Sequence, residues 1–448
     1  MMPKMSDIQV VVMMGGLGRR LGSLISDCPK PMLPVSGKPF FDYELLLLKL
    51  AGFRRFLFCT GHMSREIESY YKDGSHLDIS ITYSKEPELQ DGSGVKLLGT
   101  GGALRHAYDK LSDDFLLVYA DSFMDIDYRE VVWRYFKAKE EGFSSLMTLL
   151  KNNGDYDKSN VIYKDGALKL YDKKQELSDM DHIDYGVNMF SRQVFAGRDE
   201  GEVFDLGDIQ HELSLSGRLY GLVVTRRFYE IGRVEPYKEF ISYVKDRFED
   251  KKKAVFLDRD GVLNEIVYNE DTEQLDSPLR PSELKLLPGA ARAVAELKSA
   301  GYHVFVVTNQ PAAAKGKTDL GTLFDINKKL MELIPDIDEV FMCPHHPVGS
   351  QKGREREGEL ICECECRKPK DGLIRQATAK YAIDSDSSYM VGDSHTDIIC
   401  GRSAKLKTVF IGSLKCDTCK KLGDISPDYV ALDIEDAASY IISGRMRT

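Results

Sequence analysis

Lys253-Ala-Val-Phe-Leu-Asp-Arg-Asp-Gly-Val-Leu-Asn264 is the stretch that decides how this chain folds. A charged run, Arg247 to Lys253, gives way to a short apolar strand, Ala254 to Leu257, and two aspartates, Asp258 and Asp260, stand where that strand ends. Open parallel sheets bind ligands at the carboxyl ends of their strands, so this is a place for chemistry. It reads as a beginning, yet it lies past the middle of the 448 residues. The N-terminal end opens in the same manner, with Val10 to Met14 followed by Gly15-Gly16-Leu17-Gly18-Arg19-Arg20-Leu21. Two strand-then-loop openings predict two α/β domains in series, in line with a prior of roughly 150 residues per domain.

The expected boundaries are a first domain over 1–235, a linker over 236–252 and a second domain over 253–448. Apolar residues at Tyr237, Phe240, Ile241, Val244 and Phe248 have helical spacing, which predicts a helical linker packed on the first domain. A hydrophobic content of 42% and a charged content of 29% fit a soluble globular protein. No apolar run approaches the roughly 18 residues of a membrane span, and the N-terminus has no cleavable signal pattern. A cytoplasmic protein without a membrane partner is expected. The net charge of −10 argues against a broad nucleic-acid surface, although it leaves room for local basic phosphate pockets. Four of the nine cysteines lie between Cys343 and Cys366, and such clustering in a cytosolic chain favours metal over disulfides.

The glycines of the first loop let backbone approach a phosphate closely, and its arginines supply fixed positive donors. Alone, the loop serves as well for a turn as for a phosphate site. It is followed by Pro29-Lys30-Pro31-Met32-Leu33-Pro34-Val35 and Gly37-Lys38-Pro39, whose prolines keep the backbone extended so that Lys30 can project over the loop. This GGxGxRL…PKPMLPVxGKP arrangement resembles the sugar-1-phosphate nucleotidyltransferases over roughly residues 8 to 240. The resemblance implies a Rossmann-like fold and attack of a sugar-1-phosphate oxygen on the α-phosphorus of a nucleoside triphosphate. By position it implies Gly15, Gly16, Gly18, Glu86 and Gly101 around the nucleotide, and Arg20 and Lys30 as catalytic cations. It also implies Lys173 on the sugar phosphate, Asp184 on the sugar hydroxyls, and Asp121 and Glu230 as carboxylates for Mg²⁺. Departures from the pattern are Arg19, Ala120, Glu230 and a polar insertion at Glu88–Leu97 beside the base-recognition segment.

In the second half, Val304-Phe305-Val306-Val307-Thr308-Asn309-Gln310 is another buried strand, ending in a hydroxyl and two amides. Arg367-Lys368-Pro369 and Gly392-Asp393-Ser394-His395-Thr396-Asp397 complete a set with Asp258 and Asp260. The set resembles the haloacid dehalogenase-like phosphatases, which implies a doubly wound parallel sheet. That resemblance makes Asp258 the nucleophile and Asp260 the acid/base. It places Thr308 and Lys368 on the phosphoryl group, Asn309, Gln310 and Arg367 near the substrate, and Mg²⁺ on Asp258, Asp393 and the Asp260 carbonyl, with Asp397 in support.

Cys343-Pro344-His345-His346-Pro347 and Cys362-Glu363-Cys364-Glu365-Cys366 lie between these motifs. Cys/His pairs of this spacing are zinc ligands, assigned to Cys343, His345, Cys364 and Cys366, with His346 orienting the loop and Cys362 spare. The loop narrows the resemblance to the heptose 1,7-bisphosphate 7-phosphatases and their histidinol-phosphate phosphatase relatives. One departure is Pro311 to Gly316, where a serine-glycine and an arginine are usual. The tail pair Cys416 and Cys419 cannot close a tetrahedral site alone.

The two resemblances together imply a bifunctional enzyme acting on sugar phosphate and nucleoside triphosphate, with Mg²⁺ and Zn²⁺. They point to GDP-heptose as product. Alternatives are a phosphatase for another ester fused to a nucleotidyltransferase for a different sugar, or a non-catalytic front domain. The nucleotide, the anomer and whether the chain forms a homo-oligomer are not fixed by the sequence.

Overall fold

Strand-forming runs such as Val10-Val11-Val12 and Val255-Phe256-Leu257 are wholly buried, as expected where helices cover both faces of a parallel sheet. The computed structural model describes residues 3–15, 28–89, 95–152, 154, 156, 158–269, 274–413 and 416–443. The chain divides into two compact units, residues 2–244 and 245–448.

In the first unit Gln9–Met13 lies between Arg55–Thr60 and Asp114–Tyr119 and is parallel to both, with Ser80–Lys85 extending the parallel edge. Beyond Asp114–Tyr119 the sheet turns mixed. His182–Ser191 runs antiparallel to it and to Ser145–Lys151, and Leu219–Val224 then adds in parallel. A separate ribbon pairs Ser122–Met124 with Phe228–Glu230, setting Glu230 opposite Ser122. The carboxyl ends of the parallel strands therefore bring together Gly15, Gly61 and Asp121. The helix Phe40–Ala51 buries its aromatic and leucine face under this sheet and stops at Gly52, whose φ of 106° supplies the left-handed cap.

The second unit has six parallel strands in the spatial order Glu339–Cys343, His303–Asn309, Ala254–Leu257, Tyr389–Gly392, Lys407–Ile411 and Tyr429–Ala431. By chain order this is a doubly wound sheet whose order reverses between its first and fourth strands. Asp258 and Asp393 stand at the carboxyl ends of those two strands.

The linker differs from the single helix read from its periodicity. The helix ends at Val244, and Lys245–Glu249 forms a wider π-type turn. The reason is Arg247, which is buried in the second unit. Its Nε donates to the Lys380 carbonyl at 3.0 Å, and its guanidinium lies 4.3 Å from the Tyr381 ring centre. No helix among the described residues is long and apolar enough to cross a membrane.

Candidate active sites

At the switch point of the second sheet, Lys368 is buried with its Nζ 2.9 Å from Asp258 Oδ1 and 2.6 Å from Asp397 Oδ1. Asn309 places it: the Asn309 side chain accepts from the Lys368 N–H and donates to the Lys368 carbonyl. Asp397 is occupied twice over, because its other oxygen accepts from the Ser394 amide and hydroxyl and so caps the helix His395–Ser403. That doubly held carboxylate supports Lys368. Asp258, Asp393 and Asp397 each bring an oxygen within 4.8 Å of the others.

Gly261, at φ 80°, is what lets Asp393 approach. A Cβ there would lie 2.1 Å from Asp393 Oδ2, a distance only glycine permits. Burial pushes the Asp258 carboxyl up, to about 7, against the pull of Lys368, and pushes Asp393 up, to about 6, with help from Asp397. Crowded, buried carboxyls of this kind are relieved by a divalent cation, and oxygen donors suit Mg²⁺.

Asp260 is held from four directions. Arg259, fully buried, forks it through Nε and Nη2 at 3.2 Å; Asn264 donates at 2.9 Å, Gln310 at 2.6 Å and Ser277 at 2.8 Å. Burial raises its pKa, but Arg259 and these donors outweigh that, and the carboxyl titrates below its usual range. Gln310 is wholly buried, and its amide nitrogen donates to Asp260 and to the Thr308 hydroxyl. Asn309 likewise spends its amide on the Lys368 backbone.

Beside this centre stand Lys315, His346 and Arg367. Burial lowers the Lys315 pKa, with repulsion from Lys317 and Arg367 adding to it, and burial lowers the His346 pKa, with Lys315 and Arg367 adding to it. Arg367 donates to the His345 carbonyl at 3.2 Å, which ties it to the cysteine loop. In that loop Cys343 Sγ lies 3.6 Å from Cys364 Sγ and 3.7 Å from His345 Nδ1, Cys366 Sγ lies 3.4 Å from Cys364 Sγ, and His345 Nδ1 lies 3.2 Å from Cys366 Sγ. A tetrahedron with zinc–sulfur bonds of about 2.3 Å has sulfurs about 3.7 Å apart, so the four ligand atoms fit zinc. His346 Nδ1 accepts from the Val348 and Gly349 amides and shapes the turn. Among the described residues Cys362 is not part of this cluster, and the side chains of Cys416 and Cys419 lie outside the described residues.

In the first unit a cavity of about 330 Å³ is lined by Gly15, Lys30, Glu86, Thr100, Tyr119 and Asp121, among others. Lys30 Nζ sits 2.5 Å from Asp121 Oδ2 and 3.9 Å from Glu230 Oε1. Register explains the meeting, since Glu230 pairs with Ser122 and the Ile231 amide donates to the Asp121 carbonyl. Two carboxylates of this kind are a donor set that fits Mg²⁺. Glu86 is buried; its Oε1 accepts from the Leu98 amide at 2.7 Å, and its Oε2 faces Gly15 and Gly61. Gly16, Gly18 and Arg20 lie outside the described residues.

Asp184 accepts from the Gly186 amide within a bulge of its strand, and burial raises its pKa against the pull of Lys173. Lys173 is half exposed, 3.7 Å from Asp205. Gly101 meets a distant segment. Its amide donates to the Phe204 carbonyl, and a Cβ on it would strike the Phe204 ring at 2.3 Å. Its bareness serves the docking of residues 202–206. Gly99 and Gly102 face the same segment, and the Thr100 hydroxyl accepts from the Leu206 amide.

Sequence reasoning passed over Phe204, Asp205, Lys315, Ser277 and Asn264. Asp205 caps the helix Leu206–Leu215, its side chain accepting from the Gly207 amide. Nothing local in the sequence says what that cap faces.

Comparison with known proteins separates the two units as the geometry does. A nucleotidyl transferase family model matches residues 9–194, and a HAD-hydrolase-like model matches residues 365–437. These matches, with the glycine-loop unit and the switch-point carboxylates, define a chain that joins a nucleotidyl transferase to a haloacid dehalogenase-like hydrolase. Three curated relatives sharpen this. A D-glycero-beta-D-manno-heptose-1,7-bisphosphate 7-phosphatase of Pasteurella multocida is 33% identical over 195 residues, 42% of this chain and 97% of the relative. A D-glycero-alpha-D-manno-heptose-1,7-bisphosphate 7-phosphatase of Photorhabdus laumondii is 35% identical over 167 residues, 36% of this chain and 83% of the relative. A D-glycero-alpha-D-manno-heptose 1-phosphate guanylyltransferase of Aneurinibacillus thermoaerophilus is 28% identical over 235 residues, 52% of this chain and 96% of the relative. Through its second unit the chain belongs to the heptose-1,7-bisphosphate 7-phosphatase family; its first unit is a nucleotidyl transferase domain, and the whole is a bifunctional enzyme.

Proposed function

We propose that the chain removes the 7-phosphate of a D-glycero-D-manno-heptose 1,7-bisphosphate and then transfers GMP from GTP to the resulting heptose 1-phosphate, giving GDP-heptose. One observation carries this reading. The Photorhabdus phosphatase and the Aneurinibacillus guanylyltransferase bear the names of successive reactions, and the alpha 1-phosphate left by one is the acceptor used by the other. Removing the 7-phosphate leaves the anomeric carbon untouched, so both units must use the same anomer. The guanylyltransferase relative is named for the alpha form, as is one phosphatase relative; the alpha bisphosphate is therefore the proposed substrate.

In the phosphatase unit an Asp258 oxygen bonds to phosphorus as the bond from phosphorus to the sugar oxygen breaks. Asp260, held ionised by Arg259 and its donors in the empty site, takes up a proton as the negatively charged phosphate enters beside it and gives that proton to the departing alkoxide. Water, deprotonated by Asp260, then attacks phosphorus, releasing phosphate and restoring Asp258. Lys368 and Thr308 neutralise the phosphoryl oxygens. Lys315 and Arg367 supply the positive field for the second phosphate of a bisphosphate. Mg²⁺, held by Asp258, Asp393 and the Asp260 carbonyl, contributes charge neutralisation when bound. Zinc on Cys343, His345, Cys364 and Cys366 holds the loop that carries Arg367.

In the transferase unit the sugar-phosphate oxygen attacks the α-phosphorus and pyrophosphate departs, a reaction governed by positioning and charge. Lys30 and Arg20 meet the triphosphate, Lys173 the sugar phosphate and Asp184 the sugar hydroxyls, with Asp121 and Glu230 holding a second Mg²⁺. The inward-facing Glu86 oxygen is an acceptor suited to the paired N–H donors of guanine.

The test is one-pot. Each anomer of the bisphosphate is incubated with Mg²⁺ and each nucleoside triphosphate in turn, and phosphate, pyrophosphate and nucleotide-sugar are followed by mass spectrometry. GDP-heptose from the alpha anomer with GTP alone is expected. Preferred turnover of histidinol phosphate or a hexose bisphosphate by the phosphatase would sink the reading. Metal content checks the loop separately. About one zinc per chain is expected by elemental analysis, falling below half in Cys364→Ser; a wild-type chain that binds none rejects the ligand set.

A further inference from the structure

Under the ribbon that carries Asp121 and Glu230 lies a carboxyl that no step above uses. Glu44, on the helix Phe40–Ala51, is wholly buried. Its Oε2 accepts from the Met124 amide at 2.8 Å, and the Tyr128 hydroxyl donates to its Oε1. Tyr128 also reaches the Met124 carbonyl at 3.3 Å. Met124 ends the strand that begins just after Asp121, and its partner across the ribbon is Phe228, two residues before Glu230. The next residue, Asp125, is ion-paired with Arg226, just before the second strand. One end of the ribbon is thus rooted in buried polar contacts, and the other presents the two carboxylates to Lys30. The same helix also receives the lysine's segment, since the Phe40 amide donates to the Leu33 carbonyl at 2.9 Å.

We propose that Glu44 is a positioning residue, fixing the ribbon so that Asp121 and Glu230 face one point as a cation site. This rests on the reading of those two residues as the transferase's metal carboxylates. A hydrocarbon side chain would fill the same space, yet it would leave the Met124 amide and the Tyr128 hydroxyl without an acceptor in a dry interior. Burial pushes the Glu44 carboxyl up, to about 8, and glutamine is its close mimic: its oxygen accepts from the Met124 amide and its NH2 donates to the Tyr128 hydroxyl, which keeps the Met124 carbonyl as its acceptor.

The experiment uses the full chain carrying Asp393→Asn, which weakens the phosphatase cation site, and titrates Mn²⁺ alone, with free Mn²⁺ read by electron paramagnetic resonance. Asp121→Asn in this background is expected to weaken the remaining site at least tenfold. Glu44→Leu should weaken it at least fivefold and Tyr128→Phe about threefold, while Glu44→Gln stays within twofold. If Asp121→Asn changes nothing, the reading of the carboxylates fails and the proposal with it. If Asp121→Asn weakens binding but Glu44→Leu and Tyr128→Phe do not, the proposal alone is overturned. Should Glu44→Leu not fold, Tyr128→Phe decides, and wild-type Mn²⁺ affinity in that variant overturns the positioning role.

Discussion

Asp258→Asn is expected to abolish phosphate release, by on the order of 10³-fold or more, while nucleotidyl transfer from supplied heptose 1-phosphate stays at its wild-type rate. The amide has the same shape but lacks the anionic oxygen that bonds to phosphorus. Folding should survive, because buried Lys368 keeps its ion pair with Asp397 at 2.6 Å. Losing one partner of a buried charge is costly when nothing replaces it; here the second carboxylate remains and the asparagine oxygen can still accept. The transferase unit has its own charged groups, Lys30, Asp121 and Glu230, so its rate is the internal control. Phosphate production by a colorimetric assay and nucleotide-sugar by mass spectrometry measure both in one sample. Loss of the two activities together in a folded variant would overturn the assignment of independent sites.

Lys30→Ala is the mirror experiment. Nucleotidyl transfer should fall on the order of 10²- to 10³-fold, the usual cost of removing a positioned cation from developing phosphoryl charge, with phosphate release unchanged. Lys30 also sits 2.5 Å from Asp121 and 3.9 Å from Glu230. Its loss leaves two carboxylates facing each other in a shared cavity. Steady-state pyrophosphate release, measured against GTP and then against sugar phosphate, checks the prediction. A loss of less than a few-fold would mean that Lys30 is not a catalytic group.

Much of this arrangement is legible before any coordinates. Val10–Met14 and Ala254–Leu257 announce buried parallel strands by being apolar without alternation, and the residues that follow them mark the binding edge. Cys343, His345, Cys364 and Cys366 can be chosen from the nine cysteines and nine histidines by spacing and chemistry, because a tetrahedral site has few solutions. What escapes the sequence is contact between distant segments. Gln310 follows a phosphate-friendly strand end, and only the packing shows that its amide turns inward to Asp260. Gly101 reads as a turn glycine, and only the fold shows Phe204, a hundred residues on, packed against it. Glu44 stands in a leucine-rich helix where a carboxylate looks like a solvent-facing residue. Its two donors come from a strand and a helix eighty residues away. The linker misleads for a similar reason, since helical periodicity runs through Phe248 but Arg247 is claimed by the second unit.

The docking of residues 202–206 on Gly99, Gly101 and Gly102 has a consequence for inheritance and for engineering. The turn Gly99–Gly102, held by Glu86, and the segment carrying Asp205 beside Lys173 are two halves of one mould, cast against each other with no room for a single methyl group. A substitution made in the turn alone deforms the segment beside Lys173. Rebuilding either piece on this scaffold therefore means transplanting both together, and natural variants should change them in concert.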